Sequence, residues 1–171
     1  MHRYAPLVRS GLWIVACATL TLGSGSPGST REAAKGTLTY KAKSGPLVVT
    51  VKHAYLFKGP ELGGGKTIRR LVLSVEDVGA ALRACATMMC SDGGITEGMT
   101  VDFDSGPRLN YWFVANGQLV QYSGTADPAS AKLKVDAPDR IAGTLNLDAR
   151  SAGGPLVEVE FDVKLIKEVK K

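Results

Sequence analysis

The chain has 171 residues, of which 44% are hydrophobic and 22% are charged, and its formal net charge is +5. This length suffices for one domain whose core needs no structural metal, because a domain of this size buries roughly 68–70% of its unfolded surface. Apart from the lysines of the C-terminal tail, the basic residues are scattered, whereas a nucleic-acid footprint needs clustered positive charge. Composition and charge therefore argue against a nucleic-acid partner.

Residues 1–23 are predicted to be an export signal. Arg3 and Arg9 precede an apolar run over residues 12–22, and small residues follow. The run is too short to cross a bilayer as a helix, and this order of regions is typical of secretory signals. The Gly- and Ser-rich residues 24–36 are then predicted to form a flexible linker.

Two interpretations of the end of the signal stay open. The sequence IVAC at residues 14–17 resembles the lipobox of bacterial lipoproteins, in which the cysteine is lipidated and becomes the first residue. A lipid on Cys17 would then attach the protein to a membrane. However, apolar residues continue past Cys17, as in an ordinary signal, and cleavage near Gly23 or Gly25 would release a soluble protein. The predicted location is therefore the periplasm or cell envelope in the first case, and secretion in the second.

Period-two alternation of apolar and polar residues predicts an all-β domain over residues 37–167, followed by a basic tail at 168–171. About nine strands joined by short turns are typical of an antiparallel β-sandwich, immunoglobulin-like or related. The predicted strands are 37–43, 47–57, 67–75, three strands between 98 and 124, and then 132–136, 140–148 and 156–166.

The clearest strand pair is the hairpin around Asn116 and Gly117. Asn-Gly between apolar runs predicts a two-residue type I′ turn, which would pair Val114 with Leu119. The predicted core face carries Leu109, Tyr111, Phe113, Val120 and Tyr122. Trp112 falls on the opposite, mixed face, where it either packs under a neighbouring loop or serves as a platform for a ligand.

One short helix is predicted near residues 77–87, with Asp77 as its N-cap. In an exported protein, Cys85 and Cys90 are expected to form a structural disulfide. Residues five apart in a helix have Cα atoms roughly 8–9 Å apart, whereas a disulfide needs less than about 7 Å, so the helix must end before Cys90. A metal site would need further ligands, and His53 is the one histidine beyond the signal.

Two motif-like segments do not meet the requirements of their motifs. Residues 59–66 end in Gly-Gly-Gly-Lys, but a phosphate-binding loop would need glycine where Pro60 stands, and a β-rich segment follows instead of a helix. Asp102 and Asp104 have the spacing of a calcium loop without its later oxygen ligands, and we expect both acids to be solvated. The sequence therefore predicts no cofactor, no nucleotide and no metal.

Several segments resemble uncharacterised exported proteins of bacteria. They are TEGMTVDFD at 96–104, GPRLNYW at 106–112, QYSGT at 121–125, IRRLVLS at 68–74, and the pair Cys85 and Cys90. The resemblance covers residues 37–165. It implies an exported bacterial β-sandwich domain, either lipid-anchored in the envelope or secreted, with no assigned activity and no functional residues to carry over.

The absence of nucleophile, acid–base and metal-binding patterns predicts a protein that is not an enzyme. We expect a binding or structural module of the bacterial cell envelope whose partner is an unknown envelope protein or a glycan. The candidate contact residues are Lys66 in the 59–66 loop, Asp92 in the turn at 91–94, and Trp112 on the hairpin.

Two further hypotheses are carried forward. One is an enzyme with a cryptic site, in which the fold would bring His53 together with Asp102 and Asp104. The other is an inhibitor or assembly factor that binds a partner chain through a loop or an edge strand. An unprotected apolar edge would favour the second hypothesis, whereas an edge that is covered or carries several lysines would not.

Overall fold

The computed structural model describes residues 33–62 and 65–170, so the segment predicted to be an export signal, including Cys17, lies outside the described residues. The ten strands are β1 Ala34–Ala42, β2 Gly45–Val51, β3 His53–Pro60, β4 Thr67–Ser74, β5 Gly98–Phe103, β6 Leu109–Ala115, β7 Val120–Ala126, β8 Ala131–Ala137, β9 Arg140–Asp148 and β10 Leu156–Glu168. The two short α-helices are α1 Gly79–Ala84 and α2 Cys90–Gly93, and 3₁₀ turns occur at Pro128–Ser130 and Arg150–Ala152.

All ten strands belong to one curled sheet. Its main path runs β2-β1-β10-β3-β4-β5-β6-β7, and β9 pairs with both β10 and β8. The long strand β10 joins the two halves, because its first part pairs antiparallel with β1 and β9, and its last residues pair parallel with β3. A register shift between Leu165 and Lys167 marks the point where β10 passes from one half to the other.

The main hydrophobic core lies on the inner face of this curled sheet. Tyr40 of β1 stacks on Phe113 of β6 with ring centroids 5.5 Å apart, so the two halves of the sheet pack face to face across the core. On β10, every second residue is buried over four positions, namely Val157, Val159, Phe161 and Val163. The two-residue alternation of this strand therefore directs one of its faces into the core.

A second, smaller core lies on the outer face, under the two helices. Leu82 of α1 and Val78 pack with Phe57 of β3 and Val72 of β4, together with the disulfide residue Cys85. The helical segment thus covers the outer face of β3 and β4. It leaves the polar outer side chains of β6 and β7 exposed, and this uncovered face carries the candidate site.

The all-β class is confirmed, whereas the immunoglobulin-like sandwich is not. The described residues form ten strands and two short helices rather than about nine strands and one helix. One pairing, between β10 and β3, is parallel. The first strand begins at Ala34, inside the segment that was predicted to be linker, because residues 34–39 pair with β10.

The predicted strand at residues 47–57 is wrong as one strand. It is divided at Lys52 into β2 and β3, which lie in different halves of the sheet. Val49 and Val51 face the inner core before the break, and Ala54 and Leu56 face it afterwards. The alternation therefore changes phase at Lys52, and a single face from 47 to 57 does not exist.

The hairpin between β6 and β7 has the predicted faces but a different turn. Ala115 pairs with Val120, so four residues rather than two form the loop. Asn116, Gly117 and Gln118 all have positive φ angles, of 52°, 63° and 68°. The Gln118 side-chain amide donates to the carbonyl of Ile95, which anchors the longer loop to the segment that precedes β5. Since the register shifts by two residues, every side chain keeps its predicted face.

Helix α1 is shorter than predicted and has Val78 rather than Asp77 at its N-cap. The Asp77 carboxylate nevertheless accepts a hydrogen bond of 2.9 Å from the backbone N–H of Gly79. It therefore still pairs with one of the N–H groups that have no partner within the first turn of the helix. The helix ends at Ala84, and the predicted disulfide joins Cys85 to Cys90 with a Cα–Cα distance of 5.5 Å.

Candidate functional site

The outer face of β4 to β7 carries two rows of aligned side chains. Strand register places Val72, Thr100, Trp112 and Ser123 in one row, and Arg70, Asp102, Asn110 and Thr125 in the next. The helical segment covers the β4 end of these rows, while the β7 end is exposed. Trp112 lies at the boundary, half-buried against the smaller core.

Arg70 is the buried charged residue at the covered end, with a relative exposure of 5%. Its guanidinium forms a fork with the carboxylate of Asp102 on the neighbouring strand, through Nε–Oδ1 at 2.5 Å and Nη2–Oδ2 at 2.8 Å. Such bidentate pairing fixes the orientation of both groups. The Asp102 carboxylate is therefore held rigidly at the floor of the outer face.

The third nitrogen of Arg70, Nη1, binds residues 85–92, which contain the Cys85–Cys90 disulfide and are called the disulfide loop below. Nη1 lies 2.9 and 3.0 Å from the two carboxylate oxygens of Asp92, 3.0 Å from Ser91 Oγ and 3.1 Å from the Met88 carbonyl. Because Nη1 carries two N–H groups, these acceptors share its hydrogens. Ser91 Oγ also donates to the Met88 carbonyl at 2.7 Å. One guanidinium thus ties α2 to the sheet.

A cavity of about 130 Å³ opens beside this ion cluster. Its lining residues are Arg70, Asp92, Thr100, Asp102, Asn110, Tyr111 and Trp112. The Asn110 amide donates to Ser105 Oγ at 2.9 Å, which fixes the orientation of its side chain. The cavity is therefore lined by an indole together with carboxylate, hydroxyl and amide groups.

The guanidinium of Arg70 stays positively charged inside the cluster. Burial disfavours the charged guanidinium of Arg70, but hydrogen bonds and opposite charge from Asp102 and Asp92 outweigh burial and raise its pKa. Burial raises the pKa of the Asp92 carboxyl above its ordinary value, the charge of Asp102 adds to this rise, and Arg70 with Thr100 acts in the opposite sense. The positive charge of Arg70 is consequently enclosed by two acids.

Of the three candidate contact residues, the structure brings two together. Trp112 and Asp92 line the same cavity, although they are 20 positions apart in the chain. Lys66 is exposed and does not line this cavity. Its carbonyl accepts a hydrogen bond of 2.8 Å from the Glu61 N–H, and its positive charge helps to lower the pKa of the Asp104 carboxyl. Lys66 of the 59–66 loop and Asp92 of the 91–94 turn therefore do not line the same cavity.

The expectation that Asp102 and Asp104 are simply solvated is wrong. Asp102 is bound to Arg70, and its side chain is 16% exposed. Asp104 is bound by the neighbouring Arg69, through Nε at 2.6 Å and Nη2 at 2.9 Å. Because Arg69 and Arg70 are consecutive in β4, their side chains leave opposite faces of the sheet, and each takes one of the two acids.

Arg69 forms a second ion cluster, at the edge of the inner face. Besides Asp104 it binds Asp136 of β8 at 2.5 Å and the carbonyl of Ala137 at 3.2 Å. Hydrogen bonding and charge from Asp104, together with Asp136, raise the pKa of Arg69 against the effect of its burial. This cluster connects β4 to β8 and therefore joins the two halves of the sheet.

His53 does not converge with Asp102 and Asp104. It pairs with Ser74, whereas Asp102 pairs with Arg70, four residues or roughly 13 Å further along β4. The half-buried His53 ring stacks parallel to Tyr55 with centroids 6.4 Å apart, and the Tyr55 hydroxyl donates to Asp77. The acid that interacts with this group is thus Asp77, which sequence reasoning had placed only in the helix cap.

Sequence reasoning missed Arg70, Thr100 and Asn110 as parts of the site. A signal was present, because two arginines inside the apolar strand sequence IRRLVLS require acidic partners if either is buried. Their partners could be assigned only once β5 was known to lie beside β4. Strand order is not encoded in the alternation of a single strand.

Comparison with known proteins gives no match to any family model, curated protein or solved structure. Among residues 33–62 and 65–170, no group of three or more His, Cys, Asp or Glu side chains is arranged to hold a metal ion. The helices within the same residues are too short or too polar to cross a membrane. The site must therefore be interpreted from its own chemistry.

Proposed function

We propose that this protein is a non-catalytic binding or structural module of the bacterial cell envelope, exported by its N-terminal signal. Its partner is an envelope protein or a glycan, and the contact surface is the cavity beside Trp112. A lipid on Cys17 would add attachment to the membrane.

One observation carries this proposal: Trp112 stands half-buried beside a cavity whose polar side chains are held in place by buried Arg70. Groups fixed in this way lose little further freedom when a partner binds. Trp is also one of the residue types that are enriched where a binding surface concentrates its energy. The same carboxylates are committed to a guanidinium, an arrangement that suits orientation rather than proton transfer.

The proposal is tested by passing envelope extract over immobilised exported protein and measuring the retained protein and sugar. We expect the wild-type chain to retain envelope material and Trp112→Ala to lose most of it, with partial retention by Trp112→Phe. Leu62→Ala removes another exposed apolar side chain, 60% exposed and outside the cavity lining, and is the matched control. Equal retention by wild type and Trp112→Ala would refute the proposed surface.

A second candidate is binding to a partner chain by strand addition at β7. Strand β7 lies at the end of the sheet path, and Val120–Ala126 contains no charged residue and no proline. Edges of this kind accept an additional strand more readily than edges protected by lysine. This mode predicts slower amide hydrogen exchange along β7 when the partner is added, and unchanged exchange there would exclude it.

A further inference from the structure

The chemistry of the Trp112 cavity points to one class of ligand. We infer that it binds a neutral saccharide, with one sugar ring on the indole of Trp112 and its hydroxyls on the groups beside it. This inference rests on the proposed function, because it names the ligand of the same surface.

The charged groups around the cavity are of both signs. Two carboxylates, Asp92 and Asp102, face the cavity, and the guanidinium of Arg70 neutralises one of them. Arg108 donates through Nε to Thr125 Oγ1 at 3.0 Å in the adjoining row and supplies a second positive charge at this face. Arg108 is exposed and outside the cavity lining, but together the two arginines and two acids carry no net charge, so we expect neither an anion nor a cation to gain a large electrostatic advantage at this face.

The polar groups beside Trp112 offer the kinds of hydrogen bond that sugar hydroxyls form. Sugar hydroxyls both donate and accept, and they need partners that do the same or that accept from several directions. Asn110 offers an amide, and each carboxylate oxygen has a second lone pair beyond the one used by Arg70. The exposed, uncharged side chains of β7 extend this surface beyond Trp112; they are Gln121, Ser123 and Thr125.

The size of the cavity and the residues next to it suit a chain of sugar units. The cavity of about 130 Å³ is smaller than the roughly 300–1,000 Å³ that encloses a drug-sized ligand. It fits part of one ring, and register places Ser123 directly beside Trp112 and Thr125 beside Asn110. A chain of sugar units could therefore seat one unit at Trp112 and lie across β7. The Trp112 Nε1–H has no hydrogen-bond partner among the described residues, so it adds a donor for a hydroxyl.

The test is titration of the exported protein with three neutral tetrasaccharides: cellotetraose, maltotetraose and the N-acetylglucosamine tetramer. Saturation-transfer NMR detects contact, and calorimetry gives Kd. We expect at least one to bind at about 10 mM or below, and Trp112→Ala to weaken that binding about tenfold or more. Leu62→Ala should leave Kd unchanged, and circular dichroism melting checks that each variant is folded.

Inorganic phosphate and tetramethylammonium serve as charged probes at the same concentration. Stronger binding of either ion than of all three sugars would overturn the inference, as would absence of sugar binding or binding that does not depend on Trp112. If sugars fail while envelope extract is still retained through Trp112, the ligand class is wrong and the proposed function stands. If both fail, the surface itself is wrong.

Discussion

At the scale of single residues, Arg70 is the group on which the candidate site is built. Arginine is almost never fully buried unless it is paired, and here three nitrogens meet acceptors from β5 and from the disulfide loop. The carboxylates around the cavity owe their positions to this one side chain. Its partner Asp102 is the position where the energetic consequence can be measured most cleanly.

Substituting Asp102→Ala removes the fork and leaves the buried guanidinium with Asp92 as its acidic partner, beside the neutral acceptors Ser91 and Met88. Removing one partner of a buried pair costs about 3–5 kcal/mol, and we expect a loss of about 3 kcal/mol because Asp92 remains. Urea unfolding followed by circular dichroism measures the change. Lys134→Ala is the control, since its pair with Glu160 at 3.4 Å is exposed and should contribute less than about 1 kcal/mol. Equal effects of the two substitutions would contradict the account.

The ion pair of Arg69 predicts how stability depends on pH. Its hydrogen bonds, more than its charge, hold the pKa of the Asp104 carboxyl below the ordinary value. A carboxyl with a lowered pKa stabilises the fold above its unfolded pKa of about 3.9, and this contribution is lost as pH falls through the folded pKa.

Asp104→Asn should therefore flatten the acid side of the stability profile. Between pH 6 and pH 3 the wild-type chain is expected to lose more free energy of unfolding than the variant, because only the wild type takes up a proton at this position. Urea titrations at the two pH values measure both losses. A variant whose loss on acidification equals that of the wild type would show that the Arg69 pair does not contribute.

At the scale of elements, the disulfide loop connects covalent structure to the site. The Cys85–Cys90 disulfide closes the segment that contains Met88, and Ser91 and Asp92 follow directly after Cys90; all three bind Arg70. Reduction should cost about 2 kcal/mol in the loop-entropy estimate for so short a loop. Hydrogen exchange should also speed up over residues 85–94 before it does so in β4. Exchange that changes uniformly over the whole chain would argue against this local coupling.

Alternation of apolar and polar residues predicted most strands and the faces of the hairpin, because one buried face leaves a two-residue signature in the sequence. It failed at Lys52, where the chain passes between the two halves of the sheet and the signature changes phase. It failed for the turn length because Gln118 bonds to Ile95, a contact between distant segments. The Arg70 cluster was missed for the same reason, since its partners come from other elements.

At the scale of the whole molecule, export and anchoring are predictions of the first 23 residues. Intact-mass measurement of protein recovered from the envelope tests them in one experiment. We expect loss of the signal, either near Gly23 or just before an acylated Cys17, and two hydrogens fewer than the reduced chain because of the disulfide. The mass of the complete, reduced chain would contradict both export and disulfide formation.

The central claim is that the partner of this protein covers the outer face at Trp112. Hydroxyl-radical footprinting of the exported protein, with and without envelope extract, measures this directly. The account predicts that oxidation of Trp112 falls at least about twofold on binding. Met89, which is 62% exposed and does not line the cavity, should keep its rate. An unchanged rate at Trp112, with protection at other exposed side chains instead, would contradict the account.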